Sequence, residues 1–230
     1  MRILVVDNNI RKPYWGAQDL ARFAAAVQGA TVEVRRAPQE DLPTRLTHYD
    51  RVIVSGSVTS ANDDAPWIER LQAALNLWVD RGTPVLGVCY GHQMIARTLG
   101  GKSAVRRAAE PEFGWTEIQV SETDPLFSGL PRTFHSYSSH YDEVCELAPG
   151  MKRLAYSEIC QVQAFAVSGK PIWGIQFHPE KTLHEATVEL RNKRLQGEPK
   201  KLLNADSGEK LFTAEVGAKI FSNFLTQGAQ

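Results

Sequence analysis

Cys89 is flanked two residues away on either side by a glycine, Gly87 and Gly91, at the end of the apolar run from Pro84 to Val88. Helix-spaced apolar residues follow, Met94, Ile95 and Leu99, so the stretch reads as strand, tight turn and helix. A nucleophile at such an elbow is lifted out of the sheet, and glycines are needed beside it because the backbone is crowded and sharply bent. Its sulfur stands at a helix N-terminus, where backbone N–H groups favour the thiolate form. The competing reading is a buried structural cysteine beside a βα turn.

A thiolate nucleophile needs a general base, and the base needs an orienting acceptor. Trp173-Gly174-Ile175-Gln176-Phe177-His178-Pro179-Glu180 supplies both, with His178 as the base and Glu180 as the acceptor. Pro179 excludes a helix and favours an extended backbone, on which residues two apart project to the same side. Alone, His-x-Glu is a weak signal, because a histidine at a strand end is more often a satisfied polar residue. The elbow upstream gives the pair its chemical meaning.

These residues need a scaffold that brings two strand ends together. Ile3 to Val6 reads as a fully buried first strand stopping at Asp7-Asn8-Asn9, as in a parallel sheet. A helix over 18–27, a β-branched strand over 31–34 and a strand over 51–54, broken by Ser55-Gly56-Ser57, continue the alternation of βαβ units. Asn62-Asp63-Asp64 offers a capping acid and Pro66 a first-turn proline for a helix running to about Arg81. Beyond Gly100-Gly101 the segments shorten. Strands are predicted over 116–120, 133–137, 142–147, 161–167 and 171–176, a mixed-sheet extension. A polar helix over 182–195 follows, with Arg191, Lys193 and Arg194 read as a solvated face. A loop over 196–210 containing Gly197, Pro199 and Gly208 leads to a terminal helix over 214–225.

The chain has 230 residues, 43% hydrophobic and 23% charged, enough to bury the core of one large α/β domain. Lys+Arg and Asp+Glu are both 26, so no global charge recruits nucleic acid or an anionic membrane. Cys89, Cys145 and Cys160 are an odd, sparse set without metal-ligand spacing, which favours a reducing compartment over a disulfide framework. The N-terminal apolar run is too short for a signal h-region or a membrane span. A cytoplasmic location is the expectation.

Gly87-Val88-Cys89-Tyr90-Gly91-His92-Gln93 and Gln176-Phe177-His178-Pro179-Glu180 together resemble the class I glutamine amidotransferases. The triad glutaminase domain of that family pairs a Gly-x-Cys-x-Gly-x-Gln elbow with a downstream Gln-Phe-His-Pro-Glu. The chain is similar in particular to the glutaminase domain of GMP synthetase and its stand-alone relatives, from the first strand to the terminal helix. The resemblance implies a flavodoxin-like α/β fold with a mostly parallel central sheet flanked by helices and a smaller mixed-sheet extension. It also implies a single glutamine amidotransferase type 1 domain over residues 1–230, with an insertion at about 181–210. That insertion directly follows His178 and Glu180, a position from which it could cover the site or dock a partner.

The same resemblance implies roles. Cys89 attacks the side-chain amide of L-glutamine, giving a γ-glutamyl thioester and ammonia; His178 protonates the leaving amine and then activates water; Glu180 orients the imidazole. The backbone amides of Tyr90 and of Gly56 and Ser57 receive the oxyanion. GMP synthetase relatives carry Gly-Gly-Pro where this chain has Gly56-Ser57-Val58. Gln93 matches a glutamine that contacts the substrate, and Ser139, His140 and Tyr141, within Ser138-Ser139-His140-Tyr141-Asp142, match a Met-Ser-His-Gly-Asp stretch whose backbone receives the substrate's α-carboxylate, with tyrosine in the place of glycine. Glu110-Pro111-Glu112-Phe113-Gly114-Trp115 resembles a Glu-x-Gly-Trp segment and reads as turn and edge packing. No metal or cofactor is implied, and the ammonia acceptor is a separate enzyme on another chain. Two alternatives stand beside this reading: a stand-alone γ-glutamyl peptide hydrolase with the same triad, and a non-catalytic binding module.

Overall fold

Ile3 to Val6 are completely buried and form the body of β1 (Arg2–Asp7) in the computed structural model, which describes residues 1–11, 16–43, 47–197 and 201–226. Pro199 and the last residues of the chain lie outside the described residues. β1 is paired in parallel with β2 (Thr31–Arg36) on one side and with β3 (Arg51–Val54) on the other. β3 pairs in parallel with β4 (Val85–Val88), and β4 with the distant β9 (Ile172–Ile175). The parallel half therefore runs β2-β1-β3-β4-β9, the doubly wound order whose ligand crevice lies beyond the carboxyl ends of the strands.

Two helical layers cover this half, because strands without polar alternation must be buried on both faces. On one face α1 (Ala17–Ala25) packs with the terminal α6 (Ala214–Thr226), and Phe23 stacks on Phe221 with ring centres 4.5 Å apart. On the other lie α2 (Pro66–Asp80) and α3 (Tyr90–Gly100), whose Leu71, Leu75, Met94 and Ile95 join Leu4, Val52 and Val85 in a second core. Pro66 opens α2 as the sequence predicts, but its N-cap is Ala65 and no side chain caps it. Asp64 turns instead to Arg97 of α3, 2.8 Å away, and to Lys102. An ion pair with two cations has displaced the capping role.

The extension is built on two long antiparallel strands, β5 (Val105–Val120) and β6 (Thr133–Val144). Residues expected to form two separate strands, 133–137 and 142–147, are one continuous β6 up to Val144. The predicted break falls in Ser138-Ser139-His140-Tyr141, of which the first three stay paired with β5 while the register shifts at Tyr141. β7 (Met151–Tyr156) was not anticipated, because Lys152 and Arg153 interrupt its apolar pattern. It joins β8 (Ala164–Val167), which pairs antiparallel with β9 and completes a nine-stranded sheet.

After β9 the chain forms α4 (Leu183–Gln196), started by a capping box between Thr182 and Glu185, which satisfies two of the orphan amides. Ala186 and Leu190 are its buried residues, packed against Trp115 and Tyr137. The returning segment is clamped to β5: Leu203 bonds to Phe113 and Trp115 through its amide and carbonyl, at 2.7 and 2.9 Å. Gly114 has φ +132°, and a Cβ there would overlap the Leu203 carbonyl. The segment 110–115, expected as a turn, is thus strand, and its glycine makes room for the returning chain. A short helix, α5 (Gly208–Leu211), precedes α6. No helix of the described residues is long and apolar enough to cross a membrane.

Candidate active site

Cys89 follows directly on β4 and is the N-cap of α3, with φ 52° and ψ −104°. A non-glycine residue at positive φ is strained, and the surroundings hold it there. The Cys89 amide donates to Ile175 of β9 at 2.8 Å, and its carbonyl accepts from Gln93 at 3.0 Å. A Cβ on Gly87 would lie 2.5 Å from the Gly91 carbonyl carbon, and one on Gly91 would overlap the Val54 carbonyl. Both glycines are needed because α3 starts hard against the ends of β3 and β4.

The register of β4 on β9 matches Val88 with Ile175, so Cys89 and His178 leave the same end of neighbouring parallel strands. His178 is held by its amide, which donates to Tyr137 of β6 at 2.7 Å. Its Nδ1 lies 2.6 Å from Glu180 Oε1, both side chains being almost wholly buried. The reason they meet differs from the extended backbone expected. The amide of Lys181 donates to the His178 carbonyl at 3.3 Å, closing a turn with Pro179 at its second position, where proline's fixed φ suits it. The turn folds Glu180 back onto the imidazole. α6 buttresses it: a Cβ on Gly217 would overlap the Pro179 carbonyl.

Burial opposes a charged His178, but Glu180, and Cys89 by charge and hydrogen bond, outweigh it and hold its pKa well above the usual 6.5. The imidazole is therefore poised as a proton donor between the Cys89 sulfur and a carboxylate. The Cys89 sulfur also lies 3.9 Å from the Ser139 carbonyl oxygen.

Gly56 and Ser57 stand opposite, in the loop after β3. A Cβ on Gly56 would come within 3.1 Å of His178 Cε1 and 3.6 Å of the Cys89 Cβ. The loop is tied to the loop after β1: Asn8 Nδ2 donates to the Ser55 carbonyl at 2.8 Å, and Ser57 Oγ to the Asn8 carbonyl at 2.8 Å. Across the site, the amides of Tyr90 and Gly91 open α3 and have no acceptor inside the helix. Asn8 carries no catalytic signature in the sequence, and only the parallel pairing of β1 with β3 reveals its part.

Cys89 lines a cavity of about 180 Å³ with Ser57, Gln93, Tyr141, Glu189 and Lys193. Ser139 and His140 also border it, so the structure brings the four residues expected to position substrate, Gln93, Ser139, His140 and Tyr141, to one cavity with Cys89. Their contacts divide them. Gln93 Nε2 donates to the Asp142 carbonyl at 2.7 Å and to Gln176 Oε1 at 3.0 Å, so its two amide hydrogens tie the loop to the residue after β9 and only its oxygen is left for a ligand. His140 is buried, with Nε2 2.8 Å from Glu112 Oε2 and Nδ1 3.0 Å from the Asp142 carbonyl. It acts on the shape of the loop. Tyr141 forms a wall, edge-on to Phe113 at 4.7 Å and beneath the Arg107 guanidinium at 4.1 Å.

Glu112, His140 and Cys160 bring ligand-type atoms within 4.8 Å of one another. The Glu112 oxygens already accept from Ser157 at 2.6 Å and Gln163 at 2.5 Å besides facing His140, and burial pushes the Cys160 thiol up. The cluster is a hydrogen-bonded brace under the 139–142 loop.

Glu189 and Lys193 of α4 were unforeseen. Lys193, read as part of a solvated face, is half-buried with its ammonium 3.9 Å from the Phe113 ring centre, while Arg194 pairs outward with Asp206. The missed signal is positional. Ala186, Glu189, Leu190 and Lys193 are spaced i, i+3, i+4, i+7 and form one stripe, half of it charged and so invisible to a search for apolar periodicity.

The family model "Glutamine amidotransferase class-I" matches residues 16–196. A component of the glutamine-hydrolysing GMP synthase of Thermococcus kodakarensis, named as one of its subunits, is 35% identical over 198 residues, covering 85% of this chain and 99% of that protein. Among solved structures, a glutamine amidotransferase from Methylobacillus flagellatus superposes with a TM-score of 0.81 at 20% identity, covering 97% of this chain and 94% of the other. One from Thermotoga maritima gives 0.78 at 21%, covering 98% and 96%. These last two likenesses concern the fold.

Proposed function

This chain belongs to the class-I glutamine amidotransferase family, and we propose that it hydrolyses the side-chain amide of L-glutamine through Cys89, His178 and Glu180, releasing ammonia for an acceptor on another chain. The observation that carries the reading is the strained Cys89 at the head of α3 beside a buried imidazole that bonds Glu180 at 2.6 Å. Residues 1–230 are read as one amidotransferase domain, which the continuous nine-stranded sheet supports, with about 181–210 inserted.

In this mechanism the Cys89 thiolate attacks the amide carbon, and the carbonyl oxygen takes up the negative charge. The first-turn amide of Tyr90 and the backbone at Gly56 and Ser57 stabilise that oxyanion. As the C–N bond breaks, His178 gives its proton to the leaving nitrogen, and ammonia departs from a γ-glutamyl thioester. His178 then takes a proton from water, whose oxygen attacks the thioester carbon; collapse expels the thiolate and yields glutamate. Glu180 holds the imidazolium in both half-reactions. A separate acceptor is supported by the T. kodakarensis relative, which is one component of a synthase.

The test is glutamate and ammonia release by the purified chain offered L-glutamine or a γ-glutamyl peptide, with Cys89→Ala as control. Ammonia from glutamine, lost in the variant, is the expected result. Preferential cleavage of the peptide would replace this reading with the γ-glutamyl hydrolase. Inertness toward both, even when a synthase partner is supplied, would leave the non-catalytic module.

A further inference from the structure

α4 brings two opposite charges to the cavity in front of Cys89, and among the described residues neither has an ion-pair partner in contact with it. Among the described residues no carboxylate lies within 4.0 Å of the Lys193 ammonium, and no cation within 4.0 Å of the Glu189 carboxylate. Lys193 instead sits over the faces of Phe113, at 3.9 Å, and Tyr141, at 5.5 Å. Glu189 Oε1 accepts from Ser139 Oγ at 2.6 Å, which fixes its place beside the loop that carries His140 and Tyr141. The other cation at the cavity, Arg107, is already matched by Asp142 at 3.6 Å. Half-burying a charge is unfavourable unless something pairs with it. Burial depresses the Lys193 pKa, and the field of Glu189, acting without contact, offsets only part of that.

We infer that Lys193 and Glu189 bind the two ends of an α-amino acid, Lys193 joining the 139–142 backbone at the α-carboxylate and Glu189 taking the α-ammonium of a γ-glutamyl substrate whose amide reaches Cys89. This rests on the γ-glutamyl chemistry proposed above. The cavity, about 180 Å³, is smaller than the roughly 300 Å³ at the low end for drug-sized ligands, in keeping with a single amino acid. Ala186 and Leu190, buried on the same stripe, hold the charged pair at its depth. The inserted helix thereby forms one wall of the substrate site, with a polar half that reads the amino-acid end.

The test separates binding from turnover. Alkylation of Cys89 by the chloroketone analogue of L-glutamine is measured by mass spectrometry, as a rate relative to alkylation by iodoacetamide, which has no amino-acid end. In Lys193→Met this ratio is expected to fall about tenfold or more, the loss of a charge-assisted contact, and Lys193→Arg should restore most of it. Glu189→Gln should lower the ratio for the chloroketone but not for its des-amino analogue. Unchanged ratios in Lys193→Met and Glu189→Gln would overturn the inference. So would an equal loss with the des-amino analogue in Glu189→Gln, or a wild type that shows no preference for the chloroketone. A wild type that prefers the chloroketone with the expected variant pattern, yet releases no ammonia from glutamine even when a synthase partner is supplied, would sink the glutaminase reading while upholding this one.

Discussion

Glu180→Gln keeps the shape of the partner of His178 and removes its charge. The two side chains are almost fully buried and 2.6 Å apart, so solvent does little to replace the lost attraction. Burial works against the imidazolium, and Glu180 is the largest influence acting for it. Losing the charge-assisted part of the hydrogen bond costs about 1 kcal/mol. Charge centres about 4 Å apart at an effective dielectric near 20 attract by up to about 4 kcal/mol. Each loss of about 1.4 kcal/mol is a tenfold change in the protonation equilibrium, so the His178 pKa should drop. The proton that His178 gives to the leaving amine is then missing over much of the alkaline range. The assay is glutamine hydrolysis across pH, followed by ammonia release. The alkaline limb of kcat/KM should move down by at least about one pH unit, with a loss of about tenfold or more above it. A limb that stays in place, with activity near wild type, would refute the assignment of His178 as the acid and Glu180 as its support.

Folding raises the His178 pKa above 6.5, so this ion pair stabilises the fold fully below that value and the contribution fades as pH rises through the raised pKa. The melting temperatures of wild type and Glu180→Gln should accordingly differ most at mildly acid pH and converge on the alkaline side, as scanning calorimetry would report. Gly56→Ala places a methyl group 3.1 Å from His178 Cε1; the ring must yield by a few tenths of an ångström, and kcat should fall about tenfold with little change in melting temperature. Gly91→Ala meets the backbone carbonyl of Val54, which cannot turn aside. It should cost about 1–3 kcal/mol or more, and an unchanged melting temperature would contradict the packing described. Leu190→Ala removes a buried side chain that docks α4 on Trp115 and Tyr137, worth about 2–4 kcal/mol. Hydrogen exchange should quicken at least about thirtyfold along α4 while β1 and β3 keep their protection.

What could be read from the chain is what local chemistry marks. Gly87 and Gly91 are legible because no other residue fits where α3 meets β3 and β4, and the β1 core because four apolar residues run unbroken. The His178–Glu180 contact was legible as a pair but not as a geometry, since proline permits both an extended segment and the turn that Lys181 closes. The fusion of two expected strands into β6 had no local mark either. Ser138 to Tyr141 is polar because it backs the cavity and the Glu112 brace, and polarity in sequence looks the same whether it faces solvent or a site. α4 makes the same point more sharply. Its charges at Glu189 and Lys193 share a stripe with Ala186 and Leu190, so the face that packs on the domain is the face that carries charge. A rule that sends charged stripes to water must fail for a helix that walls a cavity. The failure is itself informative, because Glu189 and Lys193 have neutral partners, a hydroxyl and two aromatic faces, but no contacting counter-ion among the described residues, which leaves both charges for a zwitterionic ligand to meet.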